Sequence, residues 1–116
     1  MMLRGEIRLV DLDPAQSGEA DKRRPAVIVS NDGANSTAAR LGRGVVTVVP
    51  VTSTVERVFP FQVLLPRDES GLVRDSKAQA EQVRSVSVDR VTTRLGRLSA
   101  SLVAELDEAL RLHIAL

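Results

Sequence analysis

The stretch at positions 45–52, Val-Val-Thr-Val-Val-Pro-Val-Thr, constrains the fold of this chain more than any other. Its side chains are almost all β-branched, which suits a strand that is buried on both faces of a sheet. Pro50 has no backbone N–H to donate, so the end of this strand is predicted to lie at a sheet edge or at a bulge. The chain must therefore contain a sheet with this stretch buried inside it.

Further strands are predicted before and after this stretch. A first strand over 4–12 is expected to turn Ile7, Leu9 and Leu12 inward, and a second strand runs over 25–30, directly after Arg23 and Arg24. Three more strands are predicted at 61–65, 83–88 and 94–98, with a turn over 66–71. The short strands and turn residues favour an antiparallel sheet.

Helices are predicted at two places. Asn31 or Asp32 can cap a short helix over 31–39, and Ser99 can cap a final helix. The final helix carries an apolar stripe, which includes one histidine, at a spacing of three to four: Leu102, Val103, Leu106, Ala109, Leu110, His113 and Ile114. We therefore expect one domain over 1–116 with a mainly β (α+β) fold, in which a C-terminal amphipathic helix closes a curved antiparallel sheet.

Composition excludes several kinds of catalytic site. The 116 residues include no cysteine, so disulfides, thiolate catalysis and cysteine-bound zinc are excluded. The single histidine, His113, lies on the apolar stripe of the final helix, where core packing is expected rather than catalysis. The acidic residues are scattered apart from Asp68-Glu69 and Asp107-Glu108, so we expect no converging carboxylates and no metal site. No glycine motif for phosphates is present, and no cofactor is expected.

The sequence also bears on location. No apolar run approaches the roughly 20 residues that a membrane-spanning helix needs. The N-terminus lacks the apolar region of a signal peptide. We expect a cytoplasmic protein with no membrane partner.

Arginine dominates the basic residues, although the net charge is only +1. Of the 16 basic residues, 14 are arginine, whose planar fork of donors suits phosphate groups and base edges. A genome rich in G·C pairs would produce the same bias. The only aromatic residues are Phe59 and Phe61, which argues against RNA binding on a platform of stacked rings.

The residues that remain as candidates lie at the ends of predicted buried strands. They are Arg24, Thr52 and Ser53. An arginine can stabilise negative charge on a pentavalent phosphorane, and a hydroxyl can polarise a phosphate oxygen. RNA carries its own nucleophile, the 2′-hydroxyl, so such a site needs neither a metal ion nor an activated water. A surface ion pair at Arg24 and ordinary strand-capping hydroxyls would explain the same residues.

Several segments, taken in order, resemble the MazF family of toxin–antitoxin endoribonucleases. The matching segments cover most of the chain: Arg4-Gly5-Glu6-Ile7, Val10-Asp11-Leu12-Asp13-Pro14, Arg24-Pro25-Ala26-Val27-Ile28-Val29-Ser30-Asn31-Asp32, Val49-Pro50-Val51-Thr52-Ser53, Glu81-Gln82-Val83-Arg84-Ser85 and Leu106-Asp107-Glu108-Ala109-Leu110. The resemblance implies an SH3-like small barrel of the plasmid-maintenance-toxin type (MazF, Kid, CcdB), assembled as a homodimer. It further implies ribosome-independent, metal-independent and sequence-specific cleavage of single-stranded RNA to 2′,3′-cyclic phosphate and 5′-hydroxyl ends.

The resemblance also assigns roles to residues and partners. The family's catalytic arginine and threonine fall on Arg24 and Thr52, and the residues expected to bind RNA are Glu19, Asn31, Ser53, Glu81 and Gln82. The segment 14–22 matches a loop that moves when RNA or antitoxin binds. The implied partner is a MazE-like antitoxin with an acidic, disordered tail. Arg8 departs from the family, which often has Tyr or Trp there.

The sequence is also compatible with two other functions. A CcdB-like toxin shares the fold but inhibits a gyrase through protein contacts, and members of that group carry a tryptophan near the C-terminus, which this chain lacks. The second alternative function is that of a non-catalytic small-barrel binding protein. Arg24 and Thr52 argue against a relative that has lost activity.

Overall fold

The computed structural model describes residues 2–12 and 23–116. Within them the strands are β1 (Glu6–Asp11), β2 (Arg23–Ile28), β3 (Val45–Thr52), β4 (Gln62–Leu65), β5 (Ser76–Gln79), β6 (Arg84–Ser87) and β7 (Val91–Arg97). The α-helices are α1 (Asp32–Leu41), α2 (Arg67–Ser70) and α3 (Ala100–Ile114). Single-turn 3₁₀ helices lie at Ala80–Gln82 and Val88–Arg90.

The strands form one antiparallel sheet of seven strands in the order β4-β5-β3-β2-β1-β7, and β6 pairs with β3 off this path. Within the described ranges the terminal strands β4 and β7 do not pair with each other, so the sheet is open. The predicted mainly β fold, with an antiparallel sheet and a C-terminal helix, is confirmed. The expected small barrel has an open seam between β4 and β7.

β3 is the central strand. It pairs with β2 at positions 48–50, while β6 pairs with its first half and β5 with its last two residues. Pro50 falls between the β6 and β5 pairings, where β3 exchanges one partner for the other. A residue without an N–H fits an interruption in a hydrogen-bond ladder.

Burial on both sides of β3 follows from two apolar clusters. Val49 belongs to one cluster, which contains the α3 residues Leu102 and Leu106. Val48 belongs to the other, which contains Ala38 of α1. Both valines are 0% exposed. Successive side chains of a strand point to opposite faces, so the prediction of a strand buried on both faces is confirmed.

β1 follows the predicted pattern only in part. Ile7 and Leu12 are buried as expected. Leu9, which was also expected to face inward, is only half-buried, and Val10 is buried in addition. The pairing of β1 with β7 shifts register between Ile7 and Arg8 and again between Arg8 and Val10. A bulge of this kind inserts an extra residue and changes which side chains face inward.

Two other predictions differ from the structure. β5 is a strand that the sequence pattern did not reveal, and the expected turn at 66–71 contains the short helix α2. The prediction that His113 packs in the core is wrong, because this residue is exposed. The buried residues of α3 are Leu102, Leu106 and Ala109, so the last turns of the helix extend beyond the core. Ser99 caps α3 as predicted, accepting a hydrogen bond from the Leu102 N–H.

Candidate active site

The ends of β2 and β3 meet at a pocket of about 580 Å³. Its lining combines three kinds of residue: the arginines Arg24, Arg74 and Arg94, the hydroxyl residues Thr52, Ser53 and Ser76, and the uncharged residues Pro25, Val51, Gly71, Leu72, Val73 and Leu95. The three residues that sequence reasoning selected at strand ends therefore lie at one pocket.

Strand register explains why Arg24 and Thr52 meet. Ala26 pairs with Pro50 and Val27 with Val49, so the same register, continued two residues outward, sets Arg24 opposite Thr52. Residues directly opposite in an antiparallel pair lie on the same face of the sheet. Pro25 restricts the residue before it to an extended backbone, which keeps Arg24 in the strand conformation at the end of β2.

The charges around this pocket are unbalanced. No aspartate or glutamate of the described segments lines it. The Arg24 side chain is exposed, and it makes no ion pair or hydrogen bond with any residue in the ranges that the structure describes. A concave surface lined by cations and by no carboxylate attracts a polyanion.

Arg94 differs from Arg24 because a buried carboxylate holds it. Its Nη1 lies 3.5 Å from Oε2 of Glu6, which is 2% exposed. The Glu6 Oε1 accepts hydrogen bonds from the Leu3 N–H at 3.0 Å and from Nη2 of Arg8 at 3.0 Å. Burial alone would raise the pKa of Glu6, but the Leu3 N–H and the two guanidinium groups outweigh it and hold this pKa below 4.5.

Within the described ranges, the Thr52 hydroxyl accepts a hydrogen bond but donates none. Its Oγ1 accepts a hydrogen bond from the Thr54 N–H at 3.3 Å. Because a hydroxyl both accepts and donates, the proton remains available for a phosphate oxygen in the pocket. Arg24 and Thr52 together can bind a phosphate group and stabilise additional negative charge on it.

The other predicted RNA-binding residues lie away from this pocket or outside the described residues. Asn31 caps α1, and its Oδ1 accepts a hydrogen bond from the Ala34 N–H at 2.8 Å. Glu81 and Gln82 lie in the 3₁₀ helix Ala80–Gln82. The Glu81 Oε2 accepts from the Gln62 side chain at 2.6 Å, and Gln82 is exposed. Glu19 belongs to the segment 13–22, which lies outside the described residues.

A family model described as PemK-like, MazF-like toxin of type II toxin–antitoxin system matches residues 3–114. The chain belongs to the MazF-like toxin family. It is 61% identical over 116 residues to endoribonuclease MazF9 of Mycobacterium tuberculosis, a match that covers all of this chain and 98% of that protein. The family resemblance inferred from the sequence is confirmed.

Solved structures show the same fold. An endoribonuclease in complex with its cognate antitoxin, from a mycobacterial species, superposes with a TM-score of 0.78 at 24% identity, covering 100% of this chain and 97% of that one. MazF of Deinococcus radiodurans superposes with a TM-score of 0.75 at 25% identity, covering 99% and 97% of the two chains.

Sequence reasoning missed part of the lining of this pocket. Arg74, Ser76 and Arg94 reach it from positions far from β2 and β3 in the chain, and no local pattern marks them. The two aromatic rings, which were too few to suggest a stacking platform, stack on each other at a centroid separation of 5.3 Å. Across the described ranges there is no group of three or more metal-ligating side chains and no helix long and apolar enough to cross a membrane.

Proposed function

We propose that this chain, a MazF-type endoribonuclease, cleaves single-stranded RNA at the Arg24–Thr52 pocket without a metal ion. The observation that carries the proposal is the meeting of Arg24, Thr52 and Ser53 at one pocket whose described lining includes no carboxylate. A site of this kind binds phosphate but has no ligands for a divalent cation. RNA supplies its own nucleophile, so the reaction needs neither a metal ion nor an activated water.

The RNA 2′-hydroxyl is that nucleophile. Its oxygen forms a bond to the adjacent phosphorus, and the bond from phosphorus to the 5′-oxygen breaks. One proton leaves the 2′-hydroxyl and one is taken up by the 5′-oxygen, so no water is consumed and the ends are a 2′,3′-cyclic phosphate and a 5′-hydroxyl. Arg24 stabilises the charge on the pentavalent phosphorane and Thr52 donates to a phosphate oxygen. A guanidinium does not deprotonate in proteins, so Arg24 acts through its charge.

Sequence-specific, ribosome-independent recognition involves one residue of this pocket and several others. Ser53 contacts the RNA inside the pocket, and the RNA is also contacted by Glu19, Asn31, Glu81 and Gln82. Arg74 lines the same pocket and adds a cation for a neighbouring phosphate.

The partners follow from the family and from the charge of the pocket. The chain works in the cytoplasm as a homodimer, controlled by a MazE-like antitoxin whose acidic, disordered tail orders across the arginine-lined pocket. The family description, a toxin of a type II toxin–antitoxin system, supports an antitoxin partner. In calorimetry, a synthetic acidic tail and RNA should compete for one site. Independent binding of the two would contradict this regulation.

The decisive experiment is incubation of the purified protein with a long single-stranded RNA in EDTA. We expect discrete fragments with cyclic phosphate ends, and no cut at a site whose 2′-hydroxyl is replaced by hydrogen. Sequencing of the 5′ ends of the products would give the recognition sequence. An intact transcript, together with inhibited DNA supercoiling, would contradict the ribonuclease and support a gyrase inhibitor.

A further inference from the structure

The connection between β3 and β4 carries an ordered stack of three side chains. The rings of Phe59 and Phe61 are 5.3 Å apart and 2° from parallel, and the Arg57 guanidinium lies over the Phe59 ring, 5.1 Å from its centroid. Phe59 is 38% exposed. We call Arg57, Phe59 and Phe61 the aromatic stack.

Two buried polar side chains fix the backbone of the aromatic stack. Lys77 donates from Nζ to the Arg57 carbonyl oxygen at 2.6 Å, and Gln62 accepts from the Phe59 N–H at 3.1 Å. Gln62 in turn donates to Glu81 at 2.6 Å. Lys77 is 7% exposed and Gln62 is 8% exposed. The polar groups therefore hold the main chain in place, while the two rings and the Arg57 guanidinium pack on one another.

Strand register places the aromatic stack beside the candidate active site. Lys77 pairs with Thr52 on one side and with Leu64 on the other. On the side of Thr52 away from Lys77, the β2–β3 register continued two residues outward sets Arg24 opposite Thr52. Lys77, Thr52 and Arg24 thus form one row across the sheet, on a single face, and the Lys77 ammonium group contacts the backbone of the stack.

We propose that the aromatic stack binds an unpaired nucleobase of the RNA, one that flanks the phosphate held at Arg24 and Thr52. The proposal rests on the proposed ribonuclease function. Bases of single-stranded RNA stack on aromatic rings and on guanidinium planes, and both surfaces are present. A rigid backbone keeps the entropic cost of stacking small, because the loop is already ordered before RNA binds.

The test uses a short, fluorescently labelled RNA that contains a mapped cleavage site with a 2′-deoxynucleotide at the scissile position, so that binding is measured without cleavage. Phe59→Leu keeps an apolar side chain but removes the ring. We expect this variant to bind the RNA about 5- to 140-fold more weakly in fluorescence anisotropy, the range that one base–aromatic contact spans. Val58→Ala is the matched control, since Val58 is 41% exposed in the same connection and lies outside the stack.

An abasic scan of the RNA identifies the base. At one nucleotide near the cut, removal of the base should weaken binding to the wild type but not further weaken binding to Phe59→Leu. Arg57→Gln, which changes an exposed side chain, should show the same dependence on that nucleotide. Additive losses at every nucleotide would overturn the proposal.

Two other outcomes would also reject it. The first is wild-type RNA affinity of Phe59→Leu with a weakened dimer in sedimentation equilibrium, which would assign the stack to contact between two copies. The second is wild-type RNA affinity with weakened binding of the acidic tail, which would assign it to the antitoxin. A wild-type protein that cuts no RNA contradicts the proposed function itself, whereas normal cleavage with an unaffected Phe59→Leu contradicts only the nucleobase site.

Discussion

Two groups of arginines lie close together in this protein and differ in what neutralises them. At the end of β2, the exposed Arg24 has no acidic partner in the described part of the chain. At the junction of β1 and β7, Arg8 and Arg94 both contact the buried Glu6. The first group leaves charge available for a ligand, and the second uses its charge to keep a carboxylate inside the protein.

The solvent exposure of the charged side chains decides how much each group contributes to the free energy of unfolding. An exposed guanidinium is hydrated and needs no partner, so Arg24 contributes little to folding. A carboxylate that is 2% exposed, like that of Glu6, loses its hydration and needs the donors around it. Substitutions in the two groups should therefore separate activity from stability.

Arg24→Ala should have the largest effect. We expect the rate of RNA cleavage to fall about 1000-fold, the upper range for the loss of one electrostatic contact to a transition state, with an unchanged free energy of unfolding. Single-turnover cleavage and urea denaturation measure the two quantities. Arg40→Ala, at an exposed position on α1 away from the pocket, should keep the wild-type rate. A folded Arg24→Ala with the wild-type pattern of fragments would remove Arg24 from the active site.

Glu6→Gln should act on the fold instead. Loss of the negative charge leaves Arg8 and Arg94 without their counterion, and we expect the free energy of unfolding to fall by about 2–3 kcal/mol. The control is Glu108→Gln, because Glu108 pairs with Arg111 at 2.7 Å but is 74% exposed, and such surface pairs contribute at most about 1 kcal/mol. Both are measured by urea denaturation at one protein concentration. Equal effects of the two variants would contradict the distinction.

Lowering the pH should reduce the free energy of unfolding in the same way as Glu6→Gln, but by a smaller amount. The folded protein holds the pKa of Glu6 below its ordinary value of 4.5, so the folded state binds this proton less readily than the unfolded state. The stabilisation is then present above pH 4.5 and is lost as the pH falls through the lower, folded pKa. Unfolding of the wild type should become easier over that range, and Glu6→Gln should lack this component. An identical acid dependence in both proteins would assign it to other carboxylates.

Local sequence patterns were enough to predict part of the lining of the candidate site. Arg24 and Thr52 each end a stretch of β-branched residues, and antiparallel pairing of the two stretches brings their ends together. The β-branched pattern also predicted β3, since burial on both faces requires apolar residues at every position.

The rest of the lining depends on tertiary packing that no local pattern encodes. Arg94 reaches the pocket because β7 packs tightly on the end of α2, where a Cβ on Gly96 would collide with the Ser70 carbonyl oxygen. The sequence did not predict β5 because Lys77 is a poor strand former. Lys77 becomes buried only when the Arg57 backbone covers it. His113 has the correct helical spacing for the core, but α3 continues past the residues that could cover it.

Substitutions of Asn31 should have the smallest effects, and at this residue both stability and activity can be tested. As the cap of α1 it accepts the Ala34 N–H, so Asn31→Ala should lower the free energy of unfolding by about 1 kcal/mol. Asn31→Asp keeps the cap and should leave stability unchanged, because aspartate caps helices as well as asparagine does. If Asn31 also contacts RNA, the added negative charge should slow cleavage by Asn31→Asp through repulsion of the phosphates. Wild-type cleavage by a stable Asn31→Asp would restrict Asn31 to the cap, and RNA recognition would then depend on the residues around the pocket.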